Sequence, residues 1–299
     1  MANVSSSGVA IGLSGSPIAQ KLEAAAQNPV LATARRALAK HWRLYLFEAS
    51  ELAIFMFAAC AFSVWLFDPA STAARAIPAA LLRQVLFAAA MGAVATLIIK
   101  SPMGKRSGAH FNPACTLTYL RLGRIAKADA AFYVIAQFLG AIAGVALAVP
   151  FFGKTLALPT VRYAASTPGC CGTGGALAAE LFMAVSFMAI VLWTAGSSRW
   201  SKTTAYLVGL VIALDLIFFG HVSGVGLNPA RTFGSAVFAD IWTALWVYFL
   251  APVTGMLIAA EIYVRTVGLS GVLCAKIDAT STHPCPFVCS HPGHPHAFE

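Results

Sequence analysis

Charged residues are scarce in this sequence: 10% of its 299 residues are charged, whereas 59% are hydrophobic. A soluble domain carries about 25% charged residues, so this composition excludes an ordinary water-soluble protein and indicates that the lipid bilayer is its solvent. Acidic residues are the scarcer kind, with 11 against 20 lysines and arginines and a net charge of +9. No basic–aromatic interleaving accompanies that charge, which favours anionic lipid as a partner and no nucleic acid.

The sequence also lacks the signatures of several other protein classes. Its loops contain no His-Glu metal motif, nucleophile–base pair or cofactor fingerprint, so we expect no enzymatic activity and no cofactor. Its seven cysteines form no disulfide framework. Residues 1–40 hold no short apolar core followed by a cleavage site, which predicts a flexible cytoplasmic segment and no cleaved signal peptide.

Long apolar stretches are what the sequence does contain. Each approaches the roughly 20 residues that a membrane-spanning helix needs. The six predicted spans are 44–67, 81–99, 129–151, 175–196, 203–220 and 242–267. They predict one all-α membrane domain over residues 41–267, followed by a tail over residues 268–299.

The distribution of basic residues predicts how these spans are oriented. Fifteen of the 20 lysines and arginines lie before span one, between spans two and three, between spans four and five, or after span six. All of these segments share one side of the membrane, and basic residues concentrate on the cytoplasmic side. We therefore expect both termini in the cytoplasm and the protein in the plasma (inner) membrane.

An internal repeat relates the two halves of the chain. Residues 107–114 (SGAHFNPA) and 223–230 (SGVGLNPA) are identical at five of eight positions, at an offset of 116 residues. The repeats cover about 44–151 and 175–267, with three spans each, so the second copy begins on the opposite side of the membrane. Such an inverted repeat places its functional site where the two halves meet.

Both copies end in an Asn-Pro-Ala turn followed by a short apolar run, 115–120 and 231–238. The turns are Asn112-Pro113-Ala114 and Asn228-Pro229-Ala230. Asparagine at the cap and proline at the first helical position favour a helix start, and each run suits a half-helix that does not cross the bilayer. Irregular backbone at membrane depth is tolerated only where protein or a water-filled cavity satisfies it. Two such loops from opposite faces therefore predict a lined pore.

These features resemble the aquaporin (major intrinsic protein) family over about residues 44–267. The resemblance rests on SGAHFNPA and SGVGLNPAR within an inverted three-plus-three layout. It implies six transmembrane helices plus two re-entrant half-helices, and a homotetramer with one pore per subunit. It also implies a passive transmembrane channel for water that excludes protons and ions.

The resemblance assigns roles to the residues around the two turns. The half-helix N-termini, each with roughly half a positive charge, would point at the pore centre, where Asn112 and Asn228 hold a water molecule by its oxygen. By the resemblance, the carbonyl groups on one wall of the pore would be those of Gly108, Ala109, His110, Phe111, Gly224, Val225, Gly226 and Leu227. Arg231 would repel cations at a narrow point near the extracellular mouth.

Two glutamates are expected to support the re-entrant loops. Glu48 and Glu180 lie in the first helix of each half, and a buried carboxylate costs several kcal/mol unless it is paired or hydrogen-bonded. By the resemblance, both accept hydrogen bonds from loop N–H groups. A proton relay that includes Glu51 or Asp215 is the alternative interpretation of these carboxylates.

The motif spacing of the family also predicts a selectivity filter. The predicted filter residues are Leu216, Val225, Arg231 and Gly92, with Met91 in place of Gly92 if one residue has been inserted. Water channels of the family pair an aromatic residue with a histidine at this point, and glycerol facilitators use two aromatic residues. Neither pattern is present in the predicted set.

Positions after the second motif favour the water branch of the family. Thr232 stands where the glycerol branch has aspartate, and Ala236 stands where it has a basic residue. The aliphatic filter nevertheless keeps other small neutral solutes (glycerol, urea, ammonia, hydrogen peroxide) as an alternative. An ion-coupled secondary transporter, which also uses inverted repeats and broken helices, is a further alternative.

The tail after about residue 268 is rich in proline and in soft metal ligands, and we expect it to be disordered. Its candidate ligands are Cys274, His283, Cys285, Cys289, His291, His294 and His296. This composition suits Zn²⁺ or another thiophilic ion, with Cys285, Cys289 and His291 as the ligands considered. No pair has the two-residue spacing of a zinc finger, so metal-dependent regulation is a hypothesis and no metal is assigned.

Overall fold

A computed structural model describes residues 28–197 and 199–291 of the chain. Within these residues every secondary-structure element is a helix, apart from one isolated bridge residue at Cys285. The long helices, named spans one to six, are Pro29–Phe67, Ala80–Lys100, Lys127–Phe152, Gly172–Ala195, Thr204–Ser223 and Val247–Thr266. Each is long and apolar enough to cross a membrane. The predicted six-span, all-α architecture is confirmed.

Two shorter helices follow the Asn-Pro-Ala turns. They run over Pro113–Arg121 and Pro229–Ala239 and are named the first and second half-helix. At 1.5 Å per residue they are about 14 and 16 Å long, half of a hydrocarbon core of about 30 Å. Each starts as the sequence predicts, because the side-chain oxygen of Asn112 accepts from the Ala114 N–H and that of Asn228 accepts from the Ala230 N–H.

Two spans start five or more residues away from their predicted first residue. Span one begins at Pro29 rather than at 44, because the preceding segment is rich in alanine and continues the helix by propensity although its hydropathy is low. The chain divides inside this helix into an N-terminal unit that ends at Lys40 and a unit His41–Glu299. Span six begins at Val247 rather than at 242, after a turn over residues 243–246.

The outer surfaces of the spans are apolar, and small residues lie between them. Leu97 in span two is 68% exposed and Phe151 in span three is 71% exposed. Between spans two and five, a Cβ atom on Gly92 would collide with the carbonyl oxygen of Gly209, so the two backbones cross in direct contact. This distribution is typical of membrane helices, which pack through small residues and expose apolar side chains to lipid.

The two halves have the same element order, and the half-helix of each half packs against a span of the other half. In both halves two spans precede the half-helix and one span follows it. The first half-helix packs against span six, and the second packs against span three. The half-helices are therefore fixed at the junction of the two repeats.

The described part of the tail, residues 268–291, is packed where the sequence analysis expects disorder. It contains a short helix, Leu269–Gly271, followed by an irregular segment in which Ala275, Ile277, Cys285 and Phe287 are buried. These apolar side chains, spaced between the polar and proline residues, provide the contacts that a disordered tail would lack. The candidate ligands His294 and His296 lie outside the described residues.

Candidate functional site

Glu48 fixes the loop that precedes the first half-helix. Its two carboxylate oxygens accept hydrogen bonds from the backbone N–H groups of His110 at 2.9 Å and Phe111 at 2.7 Å. The side-chain amide of Gln137 donates to the same carboxylate at 2.7 Å. Glu48 is completely buried, so these three donors replace the water that the carboxylate has lost.

Glu180 fixes the loop that precedes the second half-helix in the same way. Its oxygens accept from the backbone N–H groups of Gly226 at 2.7 Å and Leu227 at 2.6 Å, and from the hydroxyl of Ser223 at 2.7 Å. Because the loop positions are related by the repeat offset of 116 residues, the two carboxylates occupy equivalent sites. Both are committed to loop donors, which argues against the proton-relay interpretation.

One tyrosine completes each loop anchor, and the sequence reasoning missed both. The Tyr133 hydroxyl donates to the Ser107 carbonyl oxygen at 2.7 Å, and the Tyr248 hydroxyl donates to the Ser223 carbonyl oxygen at 2.6 Å. The internal repeat could have revealed this pair of tyrosines. Tyr133 follows Ser107 by 26 residues, and Tyr248 follows the equivalent Ser223 by 25.

The anchored loops have an unusual backbone. Four residues other than glycine adopt positive φ: Ala109 at 55°, Phe111 at 29°, Val225 at 49° and Leu227 at 51°. Such conformations cost on the order of 1–3 kcal/mol each and persist only where the surroundings enforce them. The glutamate and tyrosine contacts supply that enforcement.

The two asparagine caps meet between the half-helices. The Asn112 side-chain amide donates to the Leu227 carbonyl oxygen at 2.9 Å, and the Asn228 side-chain amide donates to the Phe111 carbonyl oxygen at 2.7 Å. A carboxamide carries two N–H groups. Among the described residues these are the bonds that the two side-chain N–H₂ groups donate, so each amide keeps one N–H for a molecule in the adjoining cavity.

A cavity of about 60 Å³ adjoins the asparagine pair. A single water molecule needs about 10–15 Å³ of such centre-accessible space, so the cavity has room for several. From the loops its wall includes His110, Phe111, Asn112, Val225, Gly226, Leu227, Asn228 and Arg231. From spans two and five it includes Phe87, Met91, Ile212 and Leu216.

A second cavity, of about 360 Å³, lies beside the loop between spans three and four. Phe87, Leu216 and Arg231 line both cavities, so these three side chains mark the constriction between them. Val225 lines the smaller cavity next to them. The structure therefore brings Leu216, Val225 and Arg231 together, and their role as a selectivity filter stays a prediction.

The structure does not place Gly92 at this constriction. Spans two and five cross where Gly92 contacts Gly209, and Gly209 is seven residues from Leu216 along span five, or about 10 Å at 1.5 Å per residue. Phe87 occupies the position instead, since the neighbouring Gln84 side chain donates to the Leu216 carbonyl oxygen at 2.8 Å. Gly92 is thus corrected to Phe87.

The alternative, Met91, lines the smaller cavity and is absent from the wall of the larger one. Counting back from the first motif failed because a short helix, Gly104–Ser107, separates span two from the motif. In the second half, by contrast, span five runs directly into Ser223. No residue type in the first half marks this difference in spacing.

Arg231 is held by a loop to which the sequence analysis assigned no role. Its guanidinium donates to the hydroxyl of Ser166, which in turn donates to the Gly224 carbonyl oxygen at 3.0 Å. Arg231 is 7% exposed. Asp215, a candidate member of the proton relay, is absent from the walls of both cavities.

The tail cysteines form a separate group. The sulfur atoms of Cys274, Cys285 and Cys289 lie within 4.8 Å of one another. The group therefore contains Cys274 in addition to the predicted ligands Cys285 and Cys289. The third predicted ligand, His291, lines a small cavity that Cys274 also lines.

Six spans around two re-entrant half-helices, with cavities where the half-helices meet, define a class of membrane channel built from an inverted repeat. The statistical model of the major intrinsic protein family matches residues 36–263. The chain therefore belongs to the major intrinsic protein family, as the paired motifs predict.

Curated relatives are similar over the same region. The chain is 32% identical over 168 residues to a probable NIP-type aquaporin of Nicotiana alata, a match that covers 56% of this chain and 60% of the relative. It is 34% identical over 177 residues to the lens fiber major intrinsic protein of Ovis aries, covering 57% of this chain and 64% of that protein. The matches to these two relatives span less than two thirds of the relatives' own length.

A solved structure shares the fold. The aquaglyceroporin of Plasmodium falciparum superposes with a TM-score of 0.65 at 19% sequence identity, covering 77% of this chain and 98% of that chain. At this identity the likeness concerns the fold alone.

Proposed function

We propose that this chain is a passive channel that conducts water and excludes protons and ions. The observation that carries the proposal is the reciprocal pair of Asn112 and Asn228 beside the central cavity. Two half-helix N-termini add partial positive charge at this point. A water molecule that accepts from the asparagine amides turns its own hydrogens away, which interrupts the hydrogen-bonded chain along which a proton would hop.

Arg231 adds a second barrier at the constriction. Its guanidinium is held by a direct hydrogen bond to the Ser166 hydroxyl, and the side chain lines both cavities, so its charge faces the path between them. A cation in that narrow passage would meet like charge with little solvent to screen it, whereas a neutral solute gains hydrogen-bond donors. Neutral molecules therefore pass and cations are repelled.

Conduction of other small neutral solutes is the second candidate function. It is favoured by the composition of the constriction, in which Phe87 is the aromatic residue, Leu216 and Val225 are aliphatic, and Arg231 is the hydrogen-bond donor. This set includes the aromatic residue of the water-channel pattern without its histidine. Glycerol, urea, ammonia and hydrogen peroxide are the solutes to compare with water.

An ion-coupled transporter is less well supported. It requires a carboxylate that can bind and release a coupling ion, but Glu48 and Glu180 each accept two backbone N–H groups of a re-entrant loop. We further propose that residues 41–267 form the channel domain, that both termini are cytoplasmic, and that four chains assemble in the plasma (inner) membrane.

The test compares solutes in one preparation of proteoliposomes by stopped-flow light scattering. Leu216→Trp puts a larger side chain at the constriction, and Leu214→Trp, at a position 40% exposed on the same span, is the matched control. We expect wild type and L214W to exceed empty liposomes in water permeability and L216W to fall to the liposome value. Equal permeability of the two variants would contradict the proposed path. Uphill accumulation of a solute would favour the transporter.

A further inference from the structure

Three cysteines converge in the tail although the sequence separates the first from the others. The sulfur atoms of Cys274 and Cys285 are 3.1 Å apart, and Cys289 completes a group within 4.8 Å. Cys274 is 7% exposed and Cys285 is 1% exposed. The three thiols therefore face one another in a largely buried space.

The spacing of the sulfur atoms suits a shared metal ion. Zinc–sulfur bonds of about 2.3 Å in tetrahedral geometry put sulfur atoms about 3.8 Å apart, and this value lies between the closest contact of 3.1 Å and the limit of 4.8 Å in the cluster. A disulfide would need sulfur atoms about 2.05 Å apart. The group is thus arranged as three separate ligands.

The tail carries a buried positive charge beside these ligands. Lys276, two residues after Cys274, is 1% exposed. Its ammonium group donates to the carbonyl oxygens of His283 at 2.9 Å and Pro284 at 3.3 Å, which closes the loop that brings Cys285 next to Cys274.

The same segment is bound to the loop that precedes the first half-helix. The Ile277 N–H donates to the Gly108 carbonyl oxygen at 3.0 Å, and the ring of Phe287 stacks on His110 with centroids 5.6 Å apart. The His110 ring also contacts the Ala275 carbonyl oxygen at 2.7 Å. The carbonyl groups of Gly108 and His110 are predicted from the sequence to lie on the pore wall, but the Gly108 carbonyl oxygen is bound to the tail instead, so the tail packs directly against the loop that carries His110.

We propose that Cys274, Cys285 and Cys289 bind one thiophilic cation of the Zn²⁺ type, and that the bound ion fastens the tail to the loop over residues 108–111. The ion cross-links residues on both sides of the contacts made by Ile277 and Phe287. Its binding therefore lowers the fraction of molecules in which this tail segment has detached from the loop. The fourth position of the ion is open to water or to His291, which lines the cavity that includes Cys274.

Metal binding by the full-length protein in detergent tests this inference. Protein purified with reductant is incubated with Zn²⁺, passed over a desalting column and analysed for zinc by mass spectrometry. We expect one zinc ion per chain in wild type and in a C170S/C171S control, whose replaced cysteines are exposed and distant in sequence. The C274S/C285S/C289S variant is expected to lose the zinc, and C285S alone, which leaves two ligands, is expected to bind it much more weakly.

Amide hydrogen exchange gives a second readout. Zinc should slow exchange of the Ile277 amide at least tenfold in wild type and leave it unchanged in the triple variant. No retained zinc in wild type, equal zinc in wild type and the triple variant, or a Cys274–Cys285 disulfide in the reduced preparation would overturn the proposal. Neither readout involves transport, so this failure would leave the proposed channel function untouched.

Discussion

The carboxylate of Glu180 and the backbone of its loop depend on each other. A buried ion without partners costs several kcal/mol, and Glu180 is completely buried with three donors from the segment 223–227. The same segment holds Val225 and Leu227 at positive φ, a conformation that the free chain would leave. Neither the charge nor the loop is stable without the other.

Replacing Glu180 by glutamine should therefore destabilise the protein. Both carboxylate oxygens of Glu180 accept hydrogen bonds, and glutamine replaces one of them by an N–H₂ group that can only donate. A buried donor left without an acceptor costs about 1–3 kcal/mol. The matched control is Glu261→Gln, because Glu261 pairs with Arg121 at 2.7 Å on the surface, where an ion pair contributes about 0–1 kcal/mol. Thermal unfolding of the purified protein, followed by tryptophan fluorescence, measures both. An equal decrease in unfolding temperature for the two variants would show that the Glu180 contacts do not stabilise the loop.

The choice between Phe87 and Gly92 at the constriction can be tested with one pair of variants. Phe87→Ala removes an aromatic wall and should raise glycerol permeability of proteoliposomes several-fold. Gly92→Ala places a Cβ atom against the Gly209 backbone, so it should lower thermal stability without widening the constriction. Increased glycerol permeability in G92A alone would restore the assignment made from motif spacing.

At the scale of elements, the half-helices were the most predictable part of the fold. Asparagine caps, prolines at the first helical position and short apolar runs identify them, and the observed helices Pro113–Arg121 and Pro229–Ala239 extend the predicted runs by only a few residues. The relative register of spans two and five was not predictable, because it depends on the contact of Gly92 with Gly209 and on the short helix Gly104–Ser107. The spacing of apolar residues in the sequence indicates neither the helix contact nor the short helix.

The tail illustrates a different limit of sequence reasoning. Its prolines and histidines are typical of disordered segments, yet Phe287 and Ile277 are buried against the channel domain. A composition average does not reveal that a few apolar side chains meet a complementary surface. Cys274 was counted among the soft ligands, but only the folded tail brings it to Cys285 and Cys289.

The loop between spans three and four offers a test of orientation. Cys170 and Cys171 are exposed, and the proposed topology puts them outside the cell. A membrane-impermeant maleimide applied to reduced intact cells should label wild type and not the C170S/C171S variant. The hydrogen bond with Cys171 raises the pKa of Cys170, so labelling should become faster as the pH rises, since the thiolate is the reactive form. Labelling that requires permeabilised cells would reverse the assigned orientation.

At the scale of the whole molecule, the inverted repeat explains why two weak elements make one stable site. A half-helix in a bilayer leaves backbone groups that lipid cannot satisfy. Each half-helix here packs against a span of the opposite repeat, and each asparagine cap donates to the loop of the other half. Six spans, an inverted repeat and a central meeting point follow from the sequence, whereas the width and lining of the constriction depend on how the spans pack.

The central claim is that water passes the asparagine pair while protons do not. The most direct test measures both fluxes in the same proteoliposomes: stopped-flow light scattering after an osmotic step, and the fluorescence of an enclosed pH indicator after a pH step with the membrane potential clamped by valinomycin and potassium. We predict water permeability well above that of empty liposomes, with a proton flux equal to theirs. A proton flux that rises together with water permeability would contradict the account.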